Sequence, residues 1–64
     1  MGDNNNQREK SKRVGDTQVS LISADGEWRA EAMNVKNREI LRVIGSSNYD
    51  LADDYYGQLV AEYS

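Results

Sequence analysis

Apolar and polar residues alternate most regularly over residues 18–23 and 28–33, on either side of the pair Asp25-Gly26. Alternation with a period of two is typical of a strand with one buried face. Asp-Gly is a preferred pair for a two-residue type I′ turn, because both central residues adopt positive φ. A hairpin with this pair at its tip fixes the register of both strands. The predicted pairs are Ser23 with Trp28, Leu21 with Ala30 and Val19 with Ala32, so one face carries Val19, Leu21, Trp28, Ala30 and Ala32.

Residues 38–44 are compatible with a third strand or with a short helix capped by Asn37. A turn at Lys36 and Asn37 would place Glu31 opposite Arg42, and opposite charges on paired strands are stabilising. The same register would add two aliphatic residues to the apolar face. The pattern therefore favours a third strand, and the short helix stays as the alternative. The further pairs expected from this turn are Ala32 with Leu41 and Ala30 with Val43.

Residues 45–48 interrupt the alternation, and an amphipathic helix of about 14 residues follows. Ser47 or Asp50 can cap its first turn, where acidic side chains also complement the helix dipole. The predicted fold class is α+β, a three-stranded antiparallel meander (β-β-β-α) with one C-terminal helix packed on one sheet face. The apolar stripe of the helix is Leu51, Ala52, Tyr55, Tyr56, Leu59, Val60 and Tyr63. The small Ala30 and Ala32 are expected beneath it, with Trp28, Leu41 and Leu59 at the margins.

A disordered N-terminal arm is predicted at residues 1–16, before a single domain at residues 17–64. Met1 and Val14 are the only aliphatic residues of this segment. So few apolar side chains cannot offset the entropy lost on ordering. The basic side chains of this arm have two possible roles. They could contact phosphates or an acidic partner, or they could simply keep the protein soluble.

The 64 residues include no Cys, no His and no Pro, which excludes much catalytic and metal chemistry. Zinc, haem and iron-sulfur sites use Cys or His ligands, and Ser-His-Asp or Cys-His catalysis needs a His. Asp50, Asp53 and Asp54 share one helix face, but acids in a first turn routinely stabilise the helix dipole. The glycines are isolated, so no Gly-rich phosphate loop is present. We therefore expect a protein that is not an enzyme and has no metal site and no cofactor.

The formal net charge of −3 is distributed unevenly. Residues 1–45 hold eight basic and seven acidic side chains, whereas residues 46–64 hold four acidic side chains and no basic one. A slightly basic part therefore precedes an acidic helix. No apolar run approaches the about 18 residues of a membrane span, and no signal-peptide pattern is found near the N-terminus. We expect a cytoplasmic protein that does not enter membranes.

The sheet face away from the helix is predicted to be too apolar for a simple solvated surface. Its aliphatic residues surround two arginines and one glutamate, and apolar residues around arginine are typical of protein interfaces. Scattered exposed aliphatics are also common, and a homodimer seam is a further alternative. This face is expected to carry Gln18, Ser20, Ile22, Arg29, Glu31, Met33, Ile40, Arg42 and Ile44. The expected partner-binding residues are Ile22, Arg29, Met33, Ile40, Arg42 and Ile44 in the sheet, with Asp54 and Tyr56 on the acidic, tyrosine-bearing helix.

Three strands and a helix, with Gly-Glu-Trp-Arg-Ala-Glu-Ala opening the second strand, resemble small sheet-reading DNA-binding domains. Examples are the plant ethylene-response type and the arm-binding domains of phage tyrosine recombinases. The resemblance covers residues 17–63 and implies that sheet side chains enter the major groove. Those domains are strongly basic, whereas this chain is acidic overall and has Glu31 where a basic residue is expected. The nucleic-acid candidates are Arg29, Lys36, Arg38 and Arg42 in the sheet region and Arg8, Lys10, Lys12 and Arg13 in the arm.

The same layout also occurs in small phage and antitoxin-like proteins that have protein partners. The sequence therefore predicts a small non-enzymatic regulator, adaptor or inhibitor of phage or bacterial type. It is expected to bind a protein partner through the outer sheet face and the acidic helix. A DNA-binding accessory domain is the second candidate, and a homodimer is the third.

Overall fold

The computed structural model describes residues 7–64, with side chains from Glu9 onward. The elements in this range are β1 Gln7–Val14, β2 Thr17–Ala24, β3 Glu27–Asn34, β4 Ile40–Ser46 and α1 Tyr49–Tyr63. The four strands form one antiparallel sheet in the order β1-β2-β3-β4. The predicted α+β class and the C-terminal helix are confirmed, whereas the predicted count of three strands was wrong by one.

The additional strand, β1, lies in the segment that was predicted to be a disordered arm. β1 pairs with β2, and Gly15-Asp16 form the two-residue turn between them. Gly15 has a φ of +60°, and glycine at the first central position is typical of a type II′ turn. The disorder prediction was wrong for residues 7–16, because an edge strand is held by backbone pairing and tolerates charged side chains. Residues 1–6 of the predicted arm lie outside the described range.

The hairpin of β2 and β3 has the predicted turn and the predicted register. Asp25 and Gly26 have φ of +51° and +79°, as a type I′ turn requires. The two strands keep one register over their full length, so alternation places Val19, Leu21, Trp28, Ala30 and Ala32 on a single face, as predicted. The observed pairs include Ser23 with Trp28, Leu21 with Ala30 and Val19 with Ala32.

β4 is a strand rather than a short helix, but one extra residue changes its register. Met33 pairs with Ile40 whereas Ala32 pairs with Arg42, so Leu41 is left over as a β-bulge. A shift of one residue exchanges the two faces of a strand. The predicted pairs Ala32–Leu41, Ala30–Val43 and Glu31–Arg42 were therefore wrong, and the observed pairs are Ala32–Arg42, Ala30–Ile44 and Glu31–Val43.

The connection between β3 and β4 is longer than the two-residue turn expected at Lys36 and Asn37. The side-chain oxygen of Asn34 accepts hydrogen bonds from the backbone N–H groups of Lys36 at 2.9 Å and Asn37 at 3.3 Å. Arg38 has a φ of +63°, and the Asn34 N–H donates to the Glu39 carbonyl at 2.8 Å. Because Asn34 closes the turn through its own side chain, the following strand begins later than a tight turn would allow.

Small residues at the centre of the sheet let the helix approach closely. Ala30 and Ala32 have no exposed surface, and they pack with Val19 and Leu59 in the core. Interiors are close-packed, so side chains of this size set the distance between sheet and helix. Leu59 was predicted at the margin but is buried in this core, and Leu41, predicted at the same margin, is 39% exposed at the bulge.

Helix α1 is capped by Asn48, whose side-chain oxygen accepts a hydrogen bond from the Leu51 N–H at 3.1 Å. Ser47 and Asp50 were therefore wrong as caps, although Asp50 lies in the first turn, where it complements the dipole. Leu51 was predicted on the apolar stripe but is 51% exposed. The rest of the stripe packs on the sheet, with Ala52 and Leu59 buried and Tyr55, Tyr56, Val60 and Tyr63 half-buried.

Ala30→Leu should destabilise the protein by about 1 to 3 kcal/mol, because a larger side chain in this closed space forces sheet and helix apart. The measurement is the free energy of unfolding from urea titration followed by circular dichroism. Ala61→Leu adds the same volume at an exposed helix position. This control should change the free energy by less than about 0.5 kcal/mol. An unchanged stability of Ala30→Leu would contradict the packing described above.

Candidate functional site

The sheet separates the residues predicted to bind a partner into two sets. We call the sheet face turned away from α1 the outer face, and the other the helix face. Arg42 and Ile44 were predicted on the outer face, but the bulge in β4 places both on the helix face. One flat partner surface cannot contact both sets. The outer face carries Ile22, Arg29, Met33 and Ile40, whereas Arg42, Ile44, Asp54 and Tyr56 lie on the helix side.

Exposed aliphatic side chains cluster along β4, on its outer face and at its bulge. Ile40 and Val43 are 48% and 47% exposed, and Leu41 at the bulge is 39% exposed. Met33, the partner of Ile40 on β3, is half-buried. We call these four residues the β4 patch. Because β4 is the last strand of the described sheet, the patch extends to its edge.

Val43 and Leu41 are members of the β4 patch that the sequence pattern did not predict. A regular register would have turned both toward the helix. Bulges depend on the connection before the strand and on tertiary packing, and a single sequence carries no specific signal for them. The signal that was present and overlooked is Gly15-Asp16, a two-residue hairpin pair that would have predicted β1.

The charges beside the β4 patch are close to balanced. Glu27, Arg29 and Glu31 occupy successive outer-face positions of β3. Arg13 takes an outer-face position on β1, where its Nε donates to the backbone carbonyl of Gly15 at 3.0 Å. Opposite charges within about one Debye length, about 8 to 10 Å, largely cancel at a distance. The described outer face therefore presents no extended region of one sign.

Lys10 joins β1 to the helix. Its Nζ lies 2.5 Å from Asp53 Oδ1 and 5.2 Å from the ring centre of Tyr56. The hydrogen bond with Asp53 raises the pKa of Lys10 above its usual 10.5. Both side chains are partly exposed, so solvent screens their attraction. Tyr56, which was predicted to bind a partner, is half-buried in the core and lies under a lysine of its own chain.

The other basic candidates for nucleic-acid binding are spread over both faces and a loop. Arg42 Nη1 lies 3.5 Å from Glu62 Oε2 on the helix face. Lys36 Nζ lies 3.4 Å from Asp16 Oδ2, between two turns. These placements bring no basic groove together within the described residues. Arg13 and Arg29 take outer-face positions, Lys12 a helix-face position and Arg38 a loop position, while Arg8 belongs to β1 and its side chain lies outside the described part.

Trp28 packs at the end of the sheet beside the start of the helix. Its ring meets that of Tyr49 edge-on, with centroids 4.8 Å apart and planes at 74°. A small cleft of about 150 Å³ lies beside it, lined in part by Arg29 and Gly45. Binding pockets for small molecules usually start at about 300 Å³. The cleft is therefore too small to enclose a typical metabolite.

The acidic side chains of α1 serve several different contacts. Asp53 and Glu62 pair with basic residues of the sheet, and Asp54 accepts a hydrogen bond from Gln58 at 3.2 Å. Among residues 7–64, no three Asp, Glu, Cys or His side chains are grouped so that they could hold a metal ion. The same range contains no helix with the length and apolar character needed to cross a bilayer.

The pKa of Lys10 should be above 10.5 in the wild type, because the hydrogen bond with Asp53 favours the protonated amine. A raised pKa means that the stabilisation is fully present below pH 10.5 and is lost as the pH rises through the folded-state value. Titration of the Lys10 side chain by NMR measures this shift. Asp53→Asn should lower the pKa, and Asp54→Asn should leave it unchanged. Equal values in the wild type and Asp53→Asn would contradict the assigned cause.

Comparison with known proteins assigns no role to these surfaces. The chain matches no family model, no curated protein and no solved structure. The features of the chain that bear on its function are the exposed aliphatic side chains of the β4 patch, the balanced charge beside them and the ion pairs of Lys10, Lys36 and Arg42.

Proposed function

We propose that this protein is a small non-enzymatic regulator or adaptor that binds a protein partner through the outer face of its sheet. The observation that carries the proposal is the β4 patch, in which three aliphatic side chains are 39% to 48% exposed. A sheet with one solvated face normally presents polar residues there. Aliphatic side chains beside Arg29 and Glu31 have the composition of an interface centre with a charged border.

The helix provides a separate acidic surface on the other side of the sheet. Asp50 and Asp54 are exposed there. Three of its tyrosines pack inward, since Tyr55, Tyr56 and Tyr63 are half-buried against the core. A partner that covers the β4 patch would have to wrap around the sheet edge to reach these acids. The proposal therefore assigns the main contact to the outer face.

The charge distribution favours a protein partner over duplex DNA. Affinity for duplex DNA comes largely from phosphates that Lys and Arg neutralise. Lys10, Lys36 and Arg42 already form ion pairs within the chain. On the outer face, Arg29 lies between two glutamates along β3. The net charge of −3 adds repulsion at longer range.

Ile40→Asp should weaken binding to the protein partner at least about tenfold, because a carboxylate in the β4 patch must be desolvated without a counter-charge. The partner is first enriched from the native host on immobilised wild-type protein and identified by mass spectrometry. Its dissociation constant is then measured by calorimetry with the purified partner. Ile40 is 48% exposed, so the variant should keep its fold, which circular dichroism verifies.

Leu51→Asp is the matched control, because Leu51 is an aliphatic residue that is 51% exposed on α1. It should bind the partner as the wild type does. An outer-face contact would be contradicted if both variants weakened binding equally, or if neither weakened it.

Titration with duplex DNA at two salt concentrations tests the second candidate function, a DNA-binding accessory domain. Measurable affinity that falls steeply with salt would favour DNA binding instead.

A further inference from the structure

The two edges of the described sheet differ in how they resist pairing with another strand. β1 carries three basic side chains within residues 10–13 and a bulge at Glu9, which are features that protect an edge. β4 has exposed aliphatic side chains and one charged residue, Arg42, whose charge is paired with Glu62 of the same chain. An edge of this second kind is a template for a further strand.

The alternation of hydrogen bonds indicates which backbone groups of β4 point to this edge. A two-residue turn closes on a hydrogen-bonded pair, and such pairs alternate along the strands. The turn between β2 and β3 closes on the pair Ala24–Glu27, so the odd-numbered residues of β3 bond to β2. The even-numbered residues of β3 therefore direct their backbone N–H and C=O groups to β4. Asn34, whose N–H donates to the Glu39 carbonyl, follows this pattern. Arg42 and Ile44, the partners of Ala32 and Ala30, direct their backbone groups back to β3. The N–H and C=O of Val43, which lies between them, therefore point to the edge.

Gly45 lies beside these groups without a conformational reason to be glycine. Its φ is not positive, and an added Cβ would meet the Trp28 carbonyl oxygen at 3.9 Å, an ordinary contact. Glycine inside a strand weakens it and often marks a site where another chain approaches closely. The space above Gly45 can therefore take a side chain from an added strand.

We propose that β4 pairs antiparallel with β4 of a second copy of this chain, with Val43 opposite Val43 of the other copy. A strand that pairs antiparallel with itself is related to its partner by a two-fold axis. Centred on Val43, the pairing joins the free N–H and C=O groups of both copies and places Leu41 opposite the partner copy's glycine. A pairing centred on Arg42 would place the two Arg42 side chains opposite each other. It would also need backbone N–H and C=O groups that already bond to β3.

This pairing joins two described sheets of four strands into one, with both helices on one side and both outer faces on the other. The two β4 patches become neighbours and form a larger apolar surface. The dimer does not depend on the proposed function, because backbone groups at the edge hold it together. A standard interface buries about 800 Å² per partner, a large share of the 4157 Å² surface of one chain. One strand edge covers less, so the dimer is weak and depends on concentration.

Sedimentation velocity over a concentration series should show a reversible monomer–dimer equilibrium for the full chain. Val43→Pro removes the outward N–H without removing a bond to β3, and should raise the dissociation constant at least about tenfold, because each copy loses a donor. Val43→Thr keeps the N–H and the branched side chain, and should change the constant by less than about threefold. Circular dichroism verifies that each variant is folded.

Single cysteines test the register even where Val43→Pro does not fold, because the natural chain has no Cys. Val43→Cys places two cysteines directly opposite each other, with Cα atoms about 5.5 Å apart, within the range of a disulfide. Oxidation should therefore give a covalent dimer. Leu41→Cys places its two cysteines more than about 13 Å apart and should give little cross-linked product.

Four results would overturn the proposal. The first is a monomer at every concentration. The second is a dimer that Val43→Pro weakens no more than Val43→Thr. The third is cross-linking of Leu41→Cys as efficient as that of Val43→Cys. Open-ended oligomers in the concentration series would also contradict it, because they would indicate pairing of β4 with β1 of the next copy.

Discussion

The alternation of side chains along β4, interrupted at Leu41, decides which of its side chains lie on the outer face and which lie against the helix. Before the bulge, Met33 and Ile40 share the outer face. After it, Arg42 and Ile44 face the helix and Val43 faces outward. Because the side-chain period is two, a single extra residue is enough to exchange the faces. The bulge thus places Ile44 against the core and an aliphatic side chain on the exposed surface.

Packing against the helix depends on small residues at the centre of the sheet and on a charged contact at its margin. Ala30 and Ala32 leave the room that Leu59 fills. On β1, Lys10 extends over Tyr56 to Asp53, so a strand with few apolar residues is still attached to the helix. One helix can cover only one face of a four-stranded sheet. Within residues 7–64, nothing covers the outer face or the edge at β4.

The exposed face and the exposed edge support different interactions. On the face, aliphatic side chains lie beside balanced charges, which suits a protein surface better than the phosphates of DNA. At the edge, the outward backbone groups of Val43 and the absence of a side chain at Gly45 favour pairing with another strand. Pairing at the edge would bring two β4 patches together, so that dimerisation would enlarge the surface offered to a partner. Three of the basic side chains, Lys10, Lys36 and Arg42, pair with acids of the same chain.

Local signals in the sequence determined the elements whose geometry a few neighbouring residues set. Asp25-Gly26 determined the central hairpin and its register, and the spacing of apolar residues determined helix α1 and most of its buried stripe. Gly15-Asp16 carried an equally local signal for β1, although the polar composition of that strand suggested disorder. The class of the fold could therefore be predicted, apart from one strand. Of the predicted partner-binding residues, Ile22, Arg29, Met33 and Ile40 do share the outer face.

Only the tertiary structure decided the faces of β4 and the contacts of the charged residues. The side chain of Asn34 closes a longer turn, and the bulge at Leu41 then reverses the positions of Arg42, Val43 and Ile44. The ion pairs of Lys10 and Arg42 likewise join residues far apart in the chain. Composition and periodicity describe local preference, whereas a bulge or a long-range pair depends on how the whole sheet packs against its helix.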